Sequence, residues 1–151
     1  PNTKMAPPLR TKRDTEALVE ALADGTIDCV ATDHAPHAVA EKEGEFDRAA
    51  NGIVGLETAV ALLLDKLVRP GLLPLDTLVS RLSRDPARLL GLPGGSLAAG
   101  APADITILDP DRELTVDPAR FHSRSRNTPF GGWTLKGGPW MTIVGGRIVT
   151  P

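Results

Sequence analysis

The residue types capable of chemistry are concentrated in one segment, Thr32-Asp33-His34-Ala35-Pro36-His37. A carboxylate and two imidazoles this close together can ligate a metal ion and carry protons between reacting groups. Pro36 fixes its own φ and keeps Ala35 extended, so His37 is held at a set angle to Asp33. Spacing alone leaves plainer roles open: an Asp after a strand also makes turns and N-caps, and an imidazole also serves as a hydrogen-bonded structural group. His34, next to Asp33 on a turning chain, has the better claim to a structural role. His122, beside Arg120, Arg124 and Arg126, reads as a surface residue.

The elements that must position this segment follow from periodicity. Asp14 can cap a helix whose apolar face is Ala17, Leu18, Ala21 and Leu22, closed by Gly25. Residues 26–32 form a short, apolar, β-branched run of the kind seen in buried parallel strands, and the run stops at Asp33. In parallel α/β sheets, ligands and catalytic groups gather at that end of the strand. The charged loop that follows, 38–51, is long enough to move over a bound substrate. Further helices are predicted over about 56–68, ended by Pro70-Gly71, over 75–82, and from Asp85-Pro86 to Leu90. Helix, strand, loop and helix make an α/β fold class for a first unit, 1–93.

From about Gly94 the character changes. Five short β-type runs, at 104–108, 113–116, 133–135, 140–144 and 147–150, alternate with turn residues, and Gly145-Gly146 is a two-residue hairpin signal. This second unit, 94–151, reads as a small antiparallel sheet whose core is too thin to stand without further strands. With 41% hydrophobic and 24% charged residues and a net charge of -2, the chain is globular in composition and offers no electrostatic case for nucleic acid or an anionic membrane. Its longest apolar stretch, 59–64, falls far short of the roughly 20 residues a membrane span requires. The lone Cys29, in an apolar run, reads as a buried thiol, which points to the cytoplasm. The chain opens on Pro1 without a targeting pattern and is expected to be a piece of a longer protein.

Four motifs carry a resemblance. Lys4-Met5-Ala6-Pro7-Pro8-Leu9-Arg10, the Asp33 segment, Gly52-Ile53-Val54-Gly55-Leu56-Glu57-Thr58-Ala59 and Ser125-Arg126-Asn127-Thr128-Pro129-Phe130 occur in the order found in bacterial class I dihydroorotases. The chain resembles the C-terminal part of those enzymes. Gly100-Ala101-Pro102-Ala103-Asp104-Ile105 is similar to a segment found more widely in the amidohydrolase superfamily. The resemblance implies the C-terminal part of a (β/α)8 TIM-type barrel, with residues 26–32 as its last strand, followed by the C-terminal share of a composite β-sandwich. It also implies a pair of zinc ions in the full-length parent and reversible ring opening of dihydroorotate to N-carbamoyl-L-aspartate in pyrimidine biosynthesis. By the same resemblance, Asp33 is a metal ligand and the catalytic proton shuttle, His37 binds substrate through its ring, and Asn51 and Gly52 bind it through the main chain.

The chain departs from the family pattern at Ala6, where many members have a substrate-binding Asn, and at Ala50-Asn51-Gly52, where many have Pro-Phe-Gly. The other implied metal ligands, an His-x-His pair, two further His and a bridging acidic group, do not precede Asp33 in this sequence. The chain alone is therefore expected to be inactive and to hold zinc weakly. Two alternatives stay open. One is an allantoinase or hydantoinase, with the same metal chemistry on a different ring; the other is a non-catalytic dihydroorotase homologue that scaffolds aspartate transcarbamoylase. The partners implied are a small-molecule substrate, a second copy in a homodimer, or aspartate transcarbamoylase.

Overall fold

The computed structural model describes residues 1–149; Thr150, the end of the fifth predicted β run, lies outside the described residues. Helix α1 (Lys12–Asp24) is capped by Thr11, whose hydroxyl accepts the Asp14 N–H while the Asp14 carboxylate accepts the Thr11 N–H. The predicted cap, Asp14, is thus the reciprocal half of a capping box and lies inside the helix. At the other end Arg81 Nε donates to the Leu22 carbonyl at 3.1 Å, satisfying one of the orphan acceptors of α1. Asp85 holds that guanidinium in place at 2.9 Å.

The charged segment 38–51 carries a single helical turn, α2 (Val39–Lys42). Helix α3 (Ala59–Leu63) continues directly into a π-helical turn, Leu64–Val68. It begins later than predicted, after a turn at 56–58, and the His34 ring accepts the Gly55 and Leu56 N–H groups ahead of it. The two helices predicted over 75–82 and 85–90 are one continuous helical stretch: α4 (Leu75–Val79), a π turn (Ser80–Arg84) and α5 (Asp85–Leu89). Pro86 explains the π turn. A proline within a helix lacks its N–H and crowds the preceding turn, and widening that turn relieves the clash. The Arg81 carbonyl, left free, accepts the Val30 N–H at 3.1 Å.

That bond anchors residues 26–32, and it corrects one expectation. The predicted buried parallel strand pairs with no strand among the described residues; Val30 and Cys29 are only half-buried and Ala31 is exposed. A parallel ladder needs a neighbour of the same direction, and the sheet that does form is antiparallel and lies elsewhere. Ile27 and Val30 instead pack on a core of Leu22, Leu64, Leu73 and Leu78.

The sheet has the order β1-β2-β3, with β1 (Ile105–Thr115), β2 (Thr134–Val144) and β3 (Arg147–Ile148) all antiparallel. The five predicted runs are therefore three strands. The break expected between 108 and 113 is a register irregularity within β1, between Asp109 and Glu113, and a second irregularity, between Ile107 and Leu108, lies opposite Pro139 and Met141 of β2. Gly145 and Gly146, at φ 54° and 78°, make the β2–β3 hairpin turn, which needs positive φ at both positions. A second core of Ala61, Val116 and Leu135 joins the sheet to α3. The approach is close: a Cβ on Gly137 would lie 2.8 Å from that of Leu64. Among the described residues no helix is long and apolar enough to cross a membrane.

Candidate functional site

Three stretches of chain lie side by side where residues 26–32 end. Ala35 donates its N–H to the Ile53 carbonyl at 2.8 Å, and Val54 donates to the Asn127 carbonyl at 3.0 Å. The turn opens at Asp33, the one non-glycine residue with positive φ (45°) among those described. Such a backbone conformation is held only where the surroundings over-determine it, and it favours functional turns. Asp33 is exposed at the head of this turn.

His34 turns inward, and its Nδ1 accepts the Gly55 and Leu56 N–H groups at 3.0 and 3.3 Å. An accepting Nδ1 leaves the ring proton on Nε2. His34 thus ties the Asp33 turn to the start of α3. His37 meets the predicted main-chain pair: its Nε2 lies 2.8 Å from the Asn51 carbonyl, which places a proton on Nε2. Its Nδ1 faces the Glu41 carboxylate of α2 at 3.5 Å. The structure therefore brings His37, Asn51 and Gly52 together, while Asp33 stands outside their hydrogen bonds.

Gly52 is required by both conformation and space. Its φ is 106°, and a Cβ there would lie 2.6 Å from the Ala35 Cβ and 3.7 Å from His37 Nε2. Both of its main-chain groups are engaged within the chain. The N–H donates to the Lys4 carbonyl at 2.8 Å, and the carbonyl accepts from Lys42 Nζ at 3.0 Å and Asn127 Nδ2 at 3.3 Å.

Lys42 and Asn127 are site residues that sequence reasoning missed. Asn127 lay within a motif that carried the resemblance, but nothing in its neighbours signalled burial. Lys42 lies among Glu41, Glu43 and Glu45, a pattern normally found on a solvated face. Both are 6% exposed. Burial, reinforced by the nearby positive charge of Lys4, pushes the Lys42 ammonium below its usual range.

The donor set bears on a metal. Asp33 supplies one carboxylate, and the described residues contain no group of three His, Cys, Asp or Glu that could hold an ion. A catalytic zinc takes about three protein ligands, so the residues of this chain do not by themselves fit one.

Comparison with known proteins agrees with this architecture. The chain is 56% identical over 148 residues to a dihydroorotase of Syntrophus aciditrophicus, covering 98% of this chain and 34% of that protein. To a dihydroorotase of Pelotomaculum thermopropionicum it is 58% identical over 149 residues, covering 98% and 35%. The chain thus spans about a third of the length of the curated relatives it matches. Among solved structures, an L-hydantoinase (dihydropyrimidinase) from Arthrobacter aurescens superposes with a TM-score of 0.92 at 38% identity, over 97% of this chain and 34% of that one. A D-hydantoinase (dihydropyrimidinase) from Thermus sp. gives 0.88 at 34% identity, over 97% and 33%. Residues 5–149 match the amidohydrolase family. With that match running through nearly every described element, the chain belongs to the amidohydrolase family.

Proposed function

We propose that this chain is the C-terminal part of a dihydroorotase and supplies the Asp33 carboxylate and the His37–Asn51–Gly52 substrate wall to its active site. The observation that carries the reading is 56% identity to a dihydroorotase over 98% of the chain, with His37 and the Asn51 carbonyl 2.8 Å apart in the segment concerned. In ring opening, the Asp33 carboxylate takes a proton from the attacking water as the C–O bond forms. It returns that proton to the ring amide nitrogen as the C–N bond breaks. An exposed carboxylate at the head of a constrained turn suits a group that must meet both atoms. The reading includes zinc in the whole protein, with Asp33 as one ligand and the others drawn from outside this chain.

The same proposal assigns 1–93 to the end of a barrel and 94–151 to a share of a β-sandwich. On this reading residues 26–32, which pair with no strand among the described residues, are a barrel strand. The pathway is pyrimidine biosynthesis, the location the cytoplasm, and a homodimer or aspartate transcarbamoylase the macromolecular partner. A second reading, hydantoinase-type chemistry, draws on the Arthrobacter structure at a TM-score of 0.92. The test is to assay the full-length protein with dihydroorotate, hydantoin and allantoin. Preferential turnover of dihydroorotate is expected; preference for hydantoin or allantoin overturns the assignment, and inertness toward all three favours a scaffold.

A further inference from the structure

We propose that Lys42 and Asn127 are a pair of positioning residues that fix the Asn51–Gly52 main chain and the backbone of His37 for substrate binding. The proposal rests on the dihydroorotase reading. Its basis is a convergence of two buried side chains on one atom. Lys42 Nζ and Asn127 Nδ2 both donate to the Gly52 carbonyl, at 3.0 and 3.3 Å. Each then reaches a second point. Lys42 Nζ donates to the Ala50 carbonyl at 2.7 Å, while Asn127 Nδ2 donates to the Ala35 carbonyl at 2.9 Å and its Oδ1 accepts the His37 N–H at 3.2 Å. The two side chains therefore bridge every stretch that builds the substrate wall.

A buried ammonium is costly unless its hydrogen bonds are replaced, and here main-chain carbonyls replace water. An apolar side chain would fill the same space more cheaply, so the use of Lys at this position calls for a role that packing does not supply. Directional donors hold carbonyls at set distances; a methyl group does not. Helix α2 is built around this task. Its single turn presents Glu41 to the His37 ring at 3.5 Å and Lys42 to Gly52 at 3.0 Å, and the Glu41 carbonyl accepts the Ala50 N–H at 2.9 Å. Neighbouring residues of one turn thus hold the two halves of the wall. The segment 38–51 is accordingly tied to the rest of the chain at four places, by Lys42 on the Gly52 carbonyl, by Glu41 and the Asn51 carbonyl on the His37 ring, and by the Lys4 ammonium on the Asp47 carbonyl at 2.6 Å.

The test is made in the full-length protein with Lys42→Met, which keeps the length and removes the donors, and with Asn127→Asp, which keeps the acceptor and removes the amide donors. Two measurements are taken. The first is KM against kcat for dihydroorotate: each variant is expected to raise KM about tenfold with kcat nearly unchanged, because binding geometry is lost and chemistry is not. The double variant is expected to fall short of the product of the two effects, because both act on one carbonyl. A merely structural role lowers the amount of active enzyme, and so the apparent kcat, with KM unchanged; that outcome overturns the proposal. The second measurement is amide exchange of Gly52, expected to accelerate about tenfold while α1 stays protected. If Lys42→Met does not accumulate folded, Asn127→Asp and Lys42→Arg decide by the same two readouts. Wild-type protein inert toward dihydroorotate overturns the function reading, and unchanged exchange in the variants overturns the positioning role separately.

Discussion

Replacing Gly52 by alanine should damage the site in a way that can be computed from its surroundings. The new Cβ would lie 2.6 Å from the Ala35 Cβ, whereas two such carbons rest at about 3.5–4.0 Å, so roughly 1 Å must be absorbed. Ala35 has little freedom to move, since Pro36 restricts its backbone and its N–H is bonded to Ile53. The φ of 106° adds a backbone cost of about 1–3 kcal/mol for a residue with a Cβ. A displacement of about 1 Å at a substrate wall costs on the order of 100-fold in rate, equivalent to about 2.7 kcal/mol. Steady-state kcat/KM of full-length Gly52→Ala with dihydroorotate should fall by about that factor. Adding Ala35→Gly removes the opposing Cβ but not the backbone strain, so the double variant should regain only part of the loss. Wild-type kcat/KM in Gly52→Ala, or no recovery on adding Ala35→Gly, would refute the steric reasoning.

Other consequences are more local. The 151-residue chain alone should hold zinc weakly and turn over no dihydroorotate, since zinc takes about three ligands and Asp33 is one; equilibrium dialysis and a zinc-dependent assay of the purified chain check this, and catalytic turnover would contradict it. Leu78, fully buried among Leu22, Leu64 and Leu73, should cost about 2–5 kcal/mol when cut to alanine, whereas exposed Leu97→Ala should stay within about 0.5 kcal/mol; urea midpoints distinguish them. The Thr11 hydroxyl, and then the Thr11 N–H, hold the Asp14 carboxyl below its ordinary value of 3.8. A depressed acid contributes stability that is present above that value and lost as pH falls through the folded one, so the first turn of α1 should fray on acidification below about 3.8. An acid titration followed by NMR at the Thr11 and Asp14 amides should show that fraying, and Asp14→Asn should flatten it.

What could be read from the sequence divides along physical lines. Local signals survived: Gly25 ends α1, Gly145-Gly146 turn the hairpin, and the Asp33 segment falls where a run ends. Each depends on backbone preferences of a few neighbouring residues. What depended on distant partners did not. Residues 26–32 have strand composition, but pairing is a property of neighbours, and those among the described residues are helices. Pro110 and Pro139 fall between the predicted β runs, and although proline cannot donate to a ladder both are accommodated where β1 and β2 shift register. Lys42 was hidden for a related reason. A lysine among glutamates gives no local sign of burial, and only the carbonyls of Ala50 and Gly52 folding over it make one. The convergence of Asn127 on His37 and Gly52 spans most of the chain and has no local signature at all.

The central claim is that this chain contributes the proton-transferring carboxylate of a cyclic-amide hydrolase, and Asp33→Asn in the full-length protein tests it most directly. The substitution keeps the shape of the side chain and removes its capacity to take up a proton at neutral pH. Turnover of dihydroorotate should drop by at least about 100-fold, the usual range for loss of a positioned acid–base group. An Asp33→Asn protein with wild-type kcat would contradict the account.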